Sequence, residues 1–212
     1  MIHRRSLLAS SALASLAAIV PLHAMAQSSK KDAVTLALTL EPPVLDPTAS
    51  ASSSIAEVTH YNIFETLTKI NPDGSVSPML AESWDVSPDL KTYTFRLRKG
   101  VKFQNGEPFN ADAVKFSFDR AGSEGSTNKD KRSFAGMKVS VKDAHTVEIV
   151  TEEIDPDFLF LLGQATAIIV EPKSAATNST KPVGTGPYQL GQWRKGSSVT
   201  LVAWPEYRDA NK

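Results

Sequence analysis

Apolar and polar side chains alternate along residues 92–98, where Tyr93, Phe95 and Leu97 are interleaved with Thr92, Thr94, Arg96 and Arg98. A period of two predicts a strand with one buried and one wet face. Ser87-Pro88-Asp89 before it and Lys99-Gly100 after it supply turn chemistry, and Asn105-Gly106 marks a further tight turn. Trp84 with Val86 predicts an earlier strand that pairs back onto the first. Residues 34–40 (VTLALTL) form a short apolar, β-rich run that predicts a buried strand, as do residues 168–170. Residues 137–141 and 146–150 alternate around Asp143-Ala144-His145 and predict a hairpin. Two last strands are expected at 188–193 and 198–203, joined at Lys195-Gly196-Ser197.

Helical spacing appears elsewhere. Ile55, Val58, Asn62, Ile63, Leu67 and Ile70 predict a helix over residues 55–70, ended by the turn Asn71-Pro72-Asp73-Gly74. Asn110 is a good N-cap for a helix over 111–121, with Asp112 in its positive first turn and Val114, Phe118 and Ala121 on its buried face. Asp155-Pro156 predicts a helix start ahead of residues 158–162. Residues 122–132 (GSEGSTNKDKR) are polar and glycine-containing, hence a mobile surface loop. Strands and helices alternate irregularly, which predicts a mixed α+β body.

The 212 residues are 41% hydrophobic and 22% charged, enough for one domain or two small ones. Residues 1–26 have the form of a secretory leader: Arg4-Arg5, an apolar run from Leu7 to Val20, Pro21, and Ala24-Met25-Ala26 before Gln27. The run falls short of the roughly 20 residues that span a bilayer. The paired arginines also fit a twin-arginine signal, so the export route stays open. Lys plus Arg equals Asp plus Glu at 23 each; losing Arg4 and Arg5 leaves 21 against 23, a balance of −2. No basic excess points to nucleic acid or an anionic membrane. Cysteine is absent, which excludes disulfides, thiolate metal sites, a cysteine nucleophile and a lipidated cysteine.

Catalytic patterns fail. Gly184 and Gly186 lack the third glycine of a dinucleotide fingerprint and run into Pro187. His60 and His145, the two histidines beyond the leader, lack paired ligand spacing. Three segments could line a binding cleft. Pro42, Pro43 and Pro47 stiffen the stretch Glu41-Pro42-Pro43-Val44-Leu45-Asp46-Pro47, whose Val44 and Leu45 backbone groups could bond an extended ligand; a rigid crossover is the alternative. Tyr61 and Asn62 offer an aromatic platform beside an amide, with core packing of Tyr61 as the alternative. Gly184-Thr185-Gly186-Pro187-Tyr188 lets a backbone come close to something, or forms a tight turn into a strand.

Together these pieces resemble the extracytoplasmic substrate-binding proteins of ABC importers, in the peptide/nickel-binding class (family 5). The likeness runs in order through Glu41–Pro47, Tyr61-Asn62-Ile63-Phe64-Glu65-Thr66-Leu67, Pro78-Met79-Leu80-Ala81-Glu82-Ser83-Trp84, residues 93–98, Gly100-Val101-Lys102-Phe103, Asn105-Gly106, Phe109-Asn110-Ala111-Asp112-Ala113-Val114 and residues 184–188. The resemblance implies an α/β fold of the type II periplasmic-binding-protein kind. Residues 27–46 and 170–212 would belong to the first-lobe core and 47–169 to an inserted subdomain, with the second lobe missing. A chain ending at Lys212 would then be a fragment or a truncated product.

It further implies a periplasmic receptor, cleaved after Ala26, that binds peptides or similar small solutes and passes them to an ABC permease. Such a receptor would be monomeric, would have no catalytic step, cofactor, metal site or nucleic-acid partner, and would not insert its mature chain in a membrane. Nickel- and haem-type ligands are also compatible. Glu41, Pro43, Val44, Leu45, Tyr61, Asn62, Thr185 and Gly186 are the expected ligand-binding residues. Two other readings remain: an exported enzyme on the same fold, or a non-transporting remnant.

Overall fold

The computed structural model describes residues 32–50 and 52–209. The expected leader lies outside the described residues. The chain divides into two units, Met1–Ala37 and Leu38–Lys212. In the described part of the first unit no regular element forms, and Val34 and Leu36 are exposed.

The centre of the second unit is a four-stranded antiparallel sheet of order β3-β4-β6-β5, built from β3 (Ala81–Val86), β4 (Thr92–Leu97), β5 (Met137–Asp143) and β6 (Thr146–Thr151). The register places Trp84 opposite Phe95, Phe95 opposite Val147, and Val139 opposite Ile149. Tyr93, Phe95, Leu97, Val147 and Ile149 point to one face and are buried, as the period-two pattern requires. Helix α2 (Ala111–Gly122) belongs to the same core through Val114, Phe118 and Ala121. The Asn110 side chain caps it by accepting the Ala113 amide at 3.0 Å. Helix α3 (Lys131–Ala135) brings Phe134 to 5.4 Å from Phe118, and α4 (Phe158–Leu161) brings Phe158 to 4.4 Å from Tyr93, ring centre to ring centre.

Two smaller hairpins flank this body. One pairs β1 (Thr68–Ile70) with β2 (Val76–Pro78). The other pairs β7 (Tyr188–Arg194) with β8 (Ser198–Ala203) across the expected turn. A second apolar cluster, of Ile63, Phe64, Ile168, Val170 and Ala175, has Leu201 of β8 packed against it.

Four expectations need correction. Residues 34–40 are not a buried strand: Val34, Leu36, Leu38 and Leu40 are all exposed, and no described strand pairs with them. Alternation encodes an apolar face, but a strand exists only where a neighbour takes its backbone groups. Residues 168–170 are buried as expected but form no ladder; the Ile169 amide donates to Glu65 O and the Val170 amide to Ser117 Oγ.

The first helix, α1, covers only Ser53–Thr59. At its end the His60 amide still donates to Ala56 O, the Thr59 hydroxyl donates to Ile55 O, and Asn62 Nδ2, beyond the helix, takes Val58 O. Tyr61 then adopts φ 60 and reverses the chain, so that Thr68–Ile70 becomes β1. Finally, the stretch at 122–132 carries fixed contacts and is not loop throughout, since Gly122 ends α2 and Lys131 opens α3. Buried Asn128 donates to Thr166 O at 2.9 Å, Asp130 accepts the Thr166 hydroxyl at 2.6 Å, and α3 begins within the stretch.

Candidate functional site

The proline-stiffened segment after Leu40 is anchored at both ends. The Glu41 carboxylate accepts Trp193 Nε1–H at 3.1 Å and the Gly196 amide at 2.9 Å. The Leu45 amide donates to Ser179 O at 2.9 Å, so it is not free for a ligand as the sequence alone allowed. Leu45 is fully buried, Val44 half-buried and Pro43 exposed. Asp46, also buried, accepts Arg120 at 2.8 Å and the Thr48 hydroxyl at 2.6 Å, tying the segment's end to α2.

Tyr61 and Asn62 lie just past α1, in the reversal rather than on the helix. The Tyr61 hydroxyl donates to Gly163 O at 2.7 Å and accepts the Ile70 amide at 2.9 Å. Burial raises its pKa, and the Ile70 amide works against that rise. His60 stacks on Tyr61 at 3.8 Å between ring centres. Its Nε2 has no hydrogen-bond partner among the described residues. Burial pushes its pKa down to about 4, opposed only by the Gly163 carbonyl.

The glycine-rich segment meets residues 61–64. Gly186 N donates to Ile63 O at 2.8 Å and Tyr188 N to Asn62 O at 2.9 Å. A Cβ at Gly184 would stand 2.0 Å from Ile63 O, and one at Gly186 2.4 Å from Asn62 O. These glycines therefore admit the chain's own backbone, which answers what they let come close. Gln104 fastens the same stretch, donating to Gly186 O at 3.1 Å and Tyr188 O at 2.7 Å.

Beneath this contact lies a polar cluster that periodicity did not reveal. Glu65, fully buried, accepts Arg208 through both oxygens at 2.6 and 2.7 Å, the Thr185 hydroxyl at 2.9 Å and the Tyr207 hydroxyl at 3.1 Å. Burial and the Glu65 charge push the Tyr207 hydroxyl up to about 12. Burial also disfavours the Arg208 cation, but Glu65 outweighs it and the pKa is raised. A cavity of about 110 Å³ adjoins Arg208, Thr185 and Trp204. The only available signal was the acid within Tyr61–Leu67; nothing in the polar tail marked Arg208 as its partner.

The structure thus brings 61–62 and 184–188 together, and it joins 41–45 to the β7–β8 turn. Among the described residues no group of three or more His, Asp or Glu side chains is placed to hold a metal ion. No described helix is long and apolar enough to cross a membrane.

Residues 75–212 match the sequence profile of bacterial extracellular solute-binding proteins, family 5, middle region. The chain belongs to this family. It is 31% identical over 196 residues to the probable D,D-dipeptide-binding periplasmic protein DdpA of Escherichia coli K12, covering 84% of this chain and 37% of the relative. It is 33% identical over 168 residues to the glutathione-binding protein GsiB of Salmonella choleraesuis SC-B67, covering 77% and 33%. Among solved structures, the binding protein AgaA of A. tumefaciens R10, in complex with agropinic acid, superposes with a TM-score of 0.73 at 29% identity, over 79% of this chain and 35% of that one. This family member therefore spans about a third of the length of the relatives it matches. The likeness establishes the α/β periplasmic-binding-protein fold, over the part corresponding to a first lobe. The relatives are solute-binding proteins rather than enzymes.

Proposed function

We propose that this family 5 protein is the solute-capturing part of an ABC importer. It takes up a peptide or similar small solute outside the cytoplasm and passes it to the permease, as a monomer and without catalysing a reaction. In this reading residues 1–26 are removed after Ala26 on export, 27–46 and 170–212 belong to the first-lobe core, and 47–169 form its inserted subdomain. The observation that carries the reading is the double anchoring of residues 41–45. Main-chain groups at an exposed, proline-stiffened stretch are ordered before any solute arrives, which lowers the entropic cost of holding an extended ligand. Pro43 and Val44 would supply the exposed surface, and Tyr61-Asn62 with Thr185-Gly186, joined to each other through the 62–64 backbone, are the other residues this reading assigns to the solute.

The varied solutes in the relatives' names (a D,D-dipeptide, glutathione, agropinic acid) support a small polar solute without selecting one. The test is thermal unfolding of the exported protein against dipeptides, glutathione and opines. A true solute at a hundred times its Kd stabilises by about 2.7 kcal/mol. A flat response across the panel, with product formed from any member, would favour the exported-enzyme alternative.

A further inference from the structure

Glu41 opens the candidate site, and its exposure invites a role as a charged contact to solute. Its geometry argues otherwise. Both carboxylate oxygens receive the Gly196 amide at 2.9 Å, and Oε1 also receives the Trp193 indole N–H at 3.1 Å. Both donors are neutral and belong to one hairpin: Trp193 to the end of β7, Gly196 to the turn that joins β7 to β8. That turn is closed by Ser197 N donating to Arg194 O at 3.0 Å, and Gly196 sits at φ 74, a left-handed conformation suited to glycine. Lys195 folds back over Trp193, its Nζ lying 4.9 Å from the ring centre. Trp193 is thus held at its edge by a carboxylate and covered on one face by an ammonium.

The consequence runs along the chain. Pro42 and Pro43 follow Glu41 directly, and their fixed φ angles carry the direction set at residue 41 into the next residues. The other end of the stretch is fixed by Leu45 N on Ser179 O. Pro43 and Val44 are therefore suspended between two anchors, and one of them is the hairpin turn.

We propose that Glu41 is a positioning residue, a peg gripped by Trp193 and Gly196, and that this clasp sets the solute affinity of the Pro43–Val44 surface without either partner touching the solute. The proposal rests on the solute-binding reading above. It makes the β7–β8 turn, expected from the sequence only as a link between two strands, part of the binding apparatus.

The test uses the full exported protein and the variants E41A, E41Q, W193F and E41A/W193F, with glutathione and an unmodified tripeptide as probes. Indole N–H resonances are followed by ¹⁵N–¹H NMR, with W193F assigning the Trp193 signal. The E41A change should move the Trp193 resonance and leave those of Trp84 and Trp204 in place. Affinity by calorimetry should fall about tenfold in E41A and in W193F, and no further in the double variant, because the two act through one contact. E41Q, whose amide oxygen still accepts, should stay within about threefold of the parent.

An unmoved Trp193 resonance in E41A overturns the clasp. So does a pattern in which E41Q loses as much as E41A while W193F loses nothing, since that identifies Glu41 as a reader of solute charge. Failure of the parent protein to bind either probe or the wider solute panel defeats the solute-binding reading; the indole resonance still decides whether the clasp exists.

Discussion

Two regions of this molecule are held together by different means. The sheet β3-β4-β6-β5 with α2 is closed by apolar side chains: Phe95, Phe103, Val147 and Ile149 are fully buried, Phe158 of α4 meets Tyr93 of β4, and Phe118 of α2 meets Phe134 of α3. The region around residues 59–68 buries a set of polar groups beside Ile63, Phe64 and Leu67. Thr59, Glu65, Thr66, Thr68 and Thr185 are all fully inaccessible, and the hydroxyls of Thr59, Thr68 and Thr185 each have a partner at 2.7–2.9 Å. An apolar core tolerates substitutions that keep volume and shape, whereas a buried polar cluster tolerates only changes that leave no group unpaired. The candidate site borders the second kind of region. That is where backbone positions are fixed by directional bonds, and fixed backbone is what a binding surface built on main-chain groups requires.

The contrast can be broken at its strongest point. Phe95→Ala should destabilise the protein by about 3–5 kcal/mol through lost burial and a residual cavity, read from the urea midpoint at unchanged slope. A cost near that of a surface change would mean the sheet is not closed by its rings. Glu65→Ala should cost roughly 3 kcal/mol by leaving the largely buried Arg208 cation with only the longer ion pair to Asp209, at 3.7 Å. Replacing both Glu65 and Arg208 by leucine and methionine should recover only part of that loss: the pair's own desolvation cost disappears, but the Thr185 and Tyr207 hydroxyls still lose their acceptor. If the double replacement is as damaging as the single one, the region is held by packing and the two regions are alike.

A finer probe is pH. His60 titrates near 4 in the folded protein, because burial disfavours its cation, against about 6.5 in the unfolded chain. The unfolded state therefore binds more protons between those values, and stability rises with pH there. The contribution is fully present above pH 6.5 and is lost as pH falls toward 4, by at most about 3 kcal/mol. Unfolding curves from pH 7 to 4 should show this slope, and His60→Leu should flatten it; an unchanged slope in the variant would assign it to other groups.

These differences also explain what the sequence could reveal. Tyr93, Phe95 and Leu97 report their own strand because a period of two survives in any sequence whose sheet has one wet face. Asn110 reports its helix because the cap is local. The end of α1 is equally local in space, but spacing does not encode it: Asn62 Nδ2 takes the Val58 carbonyl, and Ile63 and Leu67 are buried although neither is helical. Glu65 and Arg208 are far apart in sequence, and a lone acid and a lone base say nothing of each other until the chain is folded. At the candidate site, residues 41–45 were legible as a stiff segment through their prolines. Trp193 and Gly196, which hold it, were not, because a hairpin turn carries no sign of what its amides will meet.

Gly184 and Gly186 convert shape into charge. Either glycine, given even a methyl group, would force residues 184–188 off the backbone at 62–64. Thr185 lies between them, and its hydroxyl is one of the donors that keep the Glu65 carboxylate satisfied. A purely steric fault at the surface of this contact would therefore be felt underneath as an electrostatic one, with a buried anion short of a proton donor. Here the smallest of side chains sets the terms on which a fully buried charge is kept.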